Sequence, residues 1–90
     1  MVLAYDATNV WALQNRGASY GKLGDTEKAF KDYLAGAALG DAWCQDEVGK
    51  MYWHGFGTAR NKGEALRWFQ LAAKQGNVDA QKNLQEAIVH

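Results

Sequence analysis

The ninety-residue chain has no proline, so no position forces a helix to break by losing its backbone donor. It has one cysteine, Cys44, which excludes an internal disulfide and any zinc site built from several thiolates. Packing alone must hold the fold. Neither sign of charge is in excess: ten Lys and Arg face ten Asp and Glu. Without a basic surplus to neutralise phosphates, the chain is not expected to bind nucleic acid. Long apolar runs are missing too; the stretch from Leu34 to Gly40 stops at Asp41, far short of the roughly twenty residues that cross a bilayer, so no membrane span is expected. The amino-terminal segment lacks the basic and apolar regions of a secretory signal. The expected compartment is the cytoplasm if Met1 is native, and open if the chain is part of a longer one. The length leaves room for one modest core, a single domain over residues 1–90.

What the chain does have is small residues and tryptophan. Glycine and alanine make up more than a quarter of it, and there are four Trp. This composition predicts helices punctuated by glycines. It also repeats: Gly17 and Tyr20 return as Gly49 and Tyr52 at an offset of 32. The later pattern of Ala29, Phe30, Tyr33 and Ala37 returns as Ala65, Leu66, Phe69 and Ala73 at an offset of 36. The four additional residues lie in the turn, which is short at 21–25 and longer at 54–63. Ala80 and Leu84 begin a third unit with the spacing of Cys44 and Val48.

Five helices are predicted, at about 9–22, 26–39, 41–54, 62–75 and 78–89. Thr8 or Asn9, Asp25 and Asn77 are able to accept the first free backbone donors, and Gly40 and Gly76 fit left-handed stops. Only Gly40 and Asp41 separate the second helix from the third, so the chain must fold straight back. The result is an all-α stack of antiparallel hairpins. At the crossings Gly17, Gly49, Ala29 and Ala65 remove bulk, while Tyr20, Tyr33, Tyr52, Trp68 and Phe69 supply it.

The second unit resembles a Sel-one-like repeat. The residues that carry the likeness are Ala42, Val48, Gly49, Tyr52, Gly55, Gly57, Ala65, Trp68, Phe69, Ala72, Ala73, Gly76, Asn77, Ala80, Gln81 and Leu84. The first unit is similar to a tetratricopeptide repeat through Asn15, Gly17, Tyr20, Leu23, Gly24, Asp25, Lys28, Ala29, Asp32 and Tyr33, and residues 3–9 look like the end of a preceding helix of that kind, with Ala7 where proline is usual. Arg16 stands where leucine is usual, Gly36 where alanine is, and Cys44 at a small-residue position. The resemblance implies a right-handed α-α superhelix of about two and a half repeats: a tetratricopeptide-like hairpin at 8–39, a Sel-one-like hairpin at 40–76 and a carboxy-terminal helix at 77–90. It also implies a non-catalytic scaffold or adaptor that binds a protein or peptide.

In such solenoids the first helix of each hairpin lines the concave face. A stripe at i, i+3, i+7 and i+10 selects Trp43, Asp46, Lys50 and Trp53 on the third helix, and Trp11 and Gln14, with Asn15 beside them, on the first. On the fifth it selects Asp79, Lys82, Glu86 and Val89. Two tryptophans flanking an acid and a base suit a peptide groove, with Trp11, Gln14, Asn15, Trp43, Asp46, Lys50, Trp53 and Lys82 as its expected lining. The competing expectation is that Trp11 and Trp43 pack between hairpins. Asn15 matches one member of the carboxylate clamp of some tetratricopeptide domains, yet a structural hydrogen bond near the helix start suits it better.

Catalytic constellations are missing. Cys44 and His54 are ten residues apart on one helix, about 15 Å, so no dyad forms locally and Cys44 is expected to be a small buried side chain. His54 and His90 lack a third ligand at metal spacing, and no cofactor is expected. Gly55 and Gly57 follow a helix instead of a strand, which excludes a dinucleotide fingerprint. Arg60, Lys62 and Arg67 read as a solvated basic surface. The structural alternative to an adaptor is a self-assembly unit, or a segment of a longer array, whose open ends pair with another copy: with fewer than about three repeats a continuous core is hard to complete.

Overall fold

An Asn or Asp side chain starts each helix, and this local chemistry sets the layout of residues 9–89, the part that the computed structural model describes. The helices are α1 (Val10–Lys22), α2 (Thr26–Ala38), α3 (Ala42–His54), α4 (Lys62–Lys74) and α5 (Val78–Val89). Asn9, Asp25, Asp41, Asn61 and Asn77 accept from the backbone N–H three residues on, which satisfies a donor that the helix itself leaves free. Among the described residues there is no strand. Residues 3–8, with the expected repeat-like segment and Thr8, lie outside the described residues, as does His90.

Each helix packs on its neighbour in chain order, so the molecule is a stack, 48 × 26 × 17 Å. Gly40 turns the chain back between α2 and α3. Its φ of 99° lets the Asp41 N–H reach the Gly36 carbonyl at 3.2 Å and close the helix end. The longer α3–α4 turn rests on the start of α2: Gly57 lies so close to the Thr26 carbonyl that any Cβ there would collide with it. Those four additional residues therefore lay the loop across the preceding hairpin.

The core is shared by three helices. Ala29, Phe30, Tyr33 and Ala37 from α2 meet Cys44, Val48 and Met51 from α3 and Trp68 from α4, with Tyr20, Leu34 and Tyr52 partly buried around them. The crossings follow the expected exchange of small for large. A Cβ on Gly17 would sit 2.9 Å from the Tyr33 ring, and one on Gly49 2.5 Å from the Phe69 ring. Phe30 meets Tyr52 edge-on at 5.2 Å, and Tyr33 meets Trp43 at 5.4 Å.

The two departures in the first hairpin have partners. Arg16 forks onto buried Asp32 through Nε at 2.8 Å and Nη2 at 2.6 Å, so the position that usually holds leucine carries a bidentate ion pair. Gly36 faces Cys44, whose sulfur fills the space an alanine would need. At the far end of the hairpins, Gln75 donates to the Gly40 carbonyl at 2.8 Å and to the Gln45 amide oxygen at 3.0 Å, while Gln45 donates to the Ala37 carbonyl at 3.2 Å. These bonds tie α4 to α3 and the end of α2.

Candidate functional site

α3 and α5 both pack against α4 and are joined by the Asn83–Asp46 hydrogen bond, and a groove of about 340 Å³ opens along this seam. Lys50, Trp53 and His54 line it from the last two turns of α3, Asn83, Glu86 and Ala87 from α5, and Phe69 from α4. Only two of the eight expected site residues, Lys50 and Trp53, line this groove.

The others are distributed by packing. Asp46 is corrected from a ligand-facing charge to a buried one, 2% exposed, that accepts from Asn83 Nδ2 at 2.9 Å. A buried carboxylate needs such a partner, and α5 supplies it. Gln14 donates to the Asp41 carboxylate at 2.8 Å, which also caps α3, so it works as a strut between α1 and α3. Asn15 donates to the Trp11 carbonyl at 2.9 Å, the structural bond expected for it. Lys82 is exposed on α5 outside the groove lining.

The tryptophans divide. Trp11 is 73% exposed, which is no packing position between hairpins. Trp43 does both jobs: it lies edge-on against Tyr33 and is still 39% exposed. Trp53 is partly buried, with the Lys62 ammonium 4.9 Å from its ring centroid. Lys50 is held by Glu47 at 2.8 Å and by Asp46 at 3.9 Å. Burial works against its charged form, but the bond to Glu47 and the nearby Glu47, Asp46 and Asp79 carboxylates outweigh that and raise its pKa above the ordinary lysine value.

The stripes missed His54, Phe69, Asn83 and Ala87. Asn83 matches Glu47 at the offset of 36 that carries Cys44 to Ala80, and Glu47 was on no stripe, so the repeat register did not point to it. Glu86 lay on the α5 stripe but outside the expected lining, and it faces the groove.

Elsewhere the chemistry is inert or already used. Cys44 is wholly buried, and burial pushes its thiol far above the usual range, with the Asp41 carboxylate adding to the shift; a thiolate nucleophile is not available there. Arg67 pairs with Glu64 at 2.9 Å and lies over the Trp68 ring, and Lys62 covers Trp53, so the basic cluster is divided among partners. Among the described residues, no group of three His, Cys, Asp or Glu side chains comes together as a metal site, and no helix is long and apolar enough to cross a membrane.

This arrangement has known counterparts. The family model of the Sel1 repeat matches residues 44–77. A solved structure of a Sel1 repeat protein from Oxalobacter formigenes superposes with a TM-score of 0.85 at 30% identity, covering 88% of this chain and 62% of that one. Two curated relatives, DAP3-binding cell death enhancer 1 of Rattus norvegicus and of Mus musculus, are 38% and 37% identical over 60 residues, 67% of this chain. The aligned region spans 12% of the length of each.

Proposed function

We propose that this chain, an all-α helical repeat with a Sel1 repeat match at residues 44–77, is a non-catalytic interaction module that holds a protein or peptide in the groove between α3 and α5. The observation that carries this reading is the groove itself: Trp53 as an aromatic wall over a floor at buried Phe69, beside the polar groups of Lys50, Asn83 and Glu86. Rigid aromatics give contact area at low entropic cost, and the polar groups orient what lies against them. Trp43 is exposed on the same helix, against Tyr33 of α2, and adds a second aromatic to the surface of α3. The rat and mouse relatives are named for binding a protein, which supports a protein partner here. The test is affinity capture from lysate of the source cells, comparing the intact chain with the Trp43→Ala, Trp53→Ala double variant. Specific partners should disappear from the variant's capture while its helical circular dichroism is kept. Capture that persists unchanged would sink the groove assignment.

A second reading has an observation of its own. On the α4–α5 side a furrow of about 410 Å³ carries Leu71, Ala73 and Leu84, and Val78, Ile88 and Val89 are exposed on α5. The furrow is also lined by Arg67, Gln70 and Lys74, and exposed apolar groups at the end of a repeat stack support pairing with another copy. Sedimentation velocity across a hundredfold range of concentration tests it. A rising sedimentation coefficient that Leu71→Lys suppresses is the expected result, and a constant monomer overturns it.

A further inference from the structure

The α3–α5 groove has an uneven supply of hydrogen-bonding groups, and that unevenness names the chemistry of its occupant. Its ammonium is spent, since Lys50 is held by Glu47 at 2.8 Å and Asp46 at 3.9 Å. One amide N–H of Asn83 goes to Asp46 at 2.9 Å, and its other N–H and its oxygen remain. Glu86 lines the groove and has no ion-pair or hydrogen-bond partner among the described residues. What the walls still offer is the Glu86 carboxylate as the one charged group without a partner, together with the remaining N–H and oxygen of the Asn83 amide, the His54 ring and the part of Trp53 that Lys62 leaves open.

The charge of the two helices points the same way. On α3 and α5, Asp46, Glu47, Asp79 and Glu86 face Lys50 and Lys82, an excess of two negative charges (four against two) in a chain whose formal net charge is zero. The opposite excess lies on α1, with Arg16 and Lys22 and no acid, and on α4, with Lys62, Arg67 and Lys74 against Glu64. The seam is thus an acidic strip in a neutral molecule. Such a strip steers and holds a cationic partner.

Resting on the peptide-binding reading of this groove, we propose that its occupant is a basic peptide segment whose arginine enters between α3 and α5. The guanidinium would pair with Glu86, donate to the Asn83 oxygen and stack on Trp53. Arginine suits the site better than lysine because its planar fork reaches a carboxylate and a second acceptor at once, and its flat face lies on an aromatic ring. The Lys62 ammonium lies over the Trp53 ring at 4.9 Å, so the guanidinium would take the ring's other face or displace it.

The test uses the whole ¹⁵N-labelled chain and three acetylated, amidated glycine–serine peptides, one with two arginines, one with glutamines in their place and one with glutamates. The arginine peptide should move the Trp53 indole and Asn83 side-chain resonances and bind at least about tenfold more tightly than either control. Glu86→Gln should weaken that binding about tenfold and leave the remaining spectrum in place. If the glutamine or glutamate peptide binds the groove as well as the arginine peptide, or if Glu86→Gln has no effect, the arginine assignment is overturned while the peptide groove stands. If none of the three moves a groove resonance, both the assignment and the peptide reading are overturned.

Discussion

Gly36 and Cys44 share one space between α2 and α3, and neither makes sense alone. A Cβ on Gly36 would lie 2.5 Å from the Cys44 sulfur and 3.2 Å from its Cβ, inside any real contact distance. The missing methyl on α2 thus makes room for a larger side chain on α3. Gly36→Ala should cost about 1–3 kcal/mol by overpacking a core with no spare volume. Cys44→Ala should cost about 1 kcal/mol by opening a void where the sulfur was. Together they restore one methyl on each side, so the double variant should be more stable than the sum by a coupling of about 1–2 kcal/mol. Urea unfolding of the four proteins measures it, and strict additivity would refute the exchange. Arg16 and Asp32 are a second pair of the same kind: the buried carboxylate is tolerable because the guanidinium forks onto both its oxygens.

At the scale of elements, what could be read from the sequence was whatever local chemistry sets. Asn9, Asp25 and Asn77 were legible as caps because a cap needs only its own side chain and a donor three residues ahead, and they place the helix starts where they were expected. Gly17 and Gly49 were legible as crossings because the repeat shows each of them paired with a later ring. The site was less legible. A stripe at i, i+3, i+7 and i+10 spans about 80° around a helix, and Asp46 falls inside that arc, between Lys50 and Trp53, so helix angle alone does not separate the buried carboxylate from the two groove residues. Whether a residue on that arc is floor or wall depends on the neighbouring helix, and α5 meets Asp46 with Asn83. The docking of the Gly57 turn on Thr26 was illegible for the same reason, because a loop's resting place is set by the surface of the preceding hairpin.

Across the whole molecule, stability should fall toward the end that binds. Contacts run from each helix to the next, so a stack of this kind has no single centre that every element shares. α3 buries Cys44, Gln45, Asp46, Val48, Gly49 and Met51, whereas α5 buries Ala80 alone. Native-state hydrogen exchange should therefore show α5 amides opening at least about 1.4 kcal/mol below those of α3, a tenfold difference in exchange. The groove makes a sharper demand. Because it lies between α3 and α5, a bound peptide joins the least buried helix to one of the two most buried, and it should raise the protection of α5 in proportion to ligand concentration over Kd while leaving α1 nearly unchanged. Equal gains in α1 and α5 would mean that binding stabilises the fold as one unit; a gain confined to α1 would move the site to the exposed Trp11.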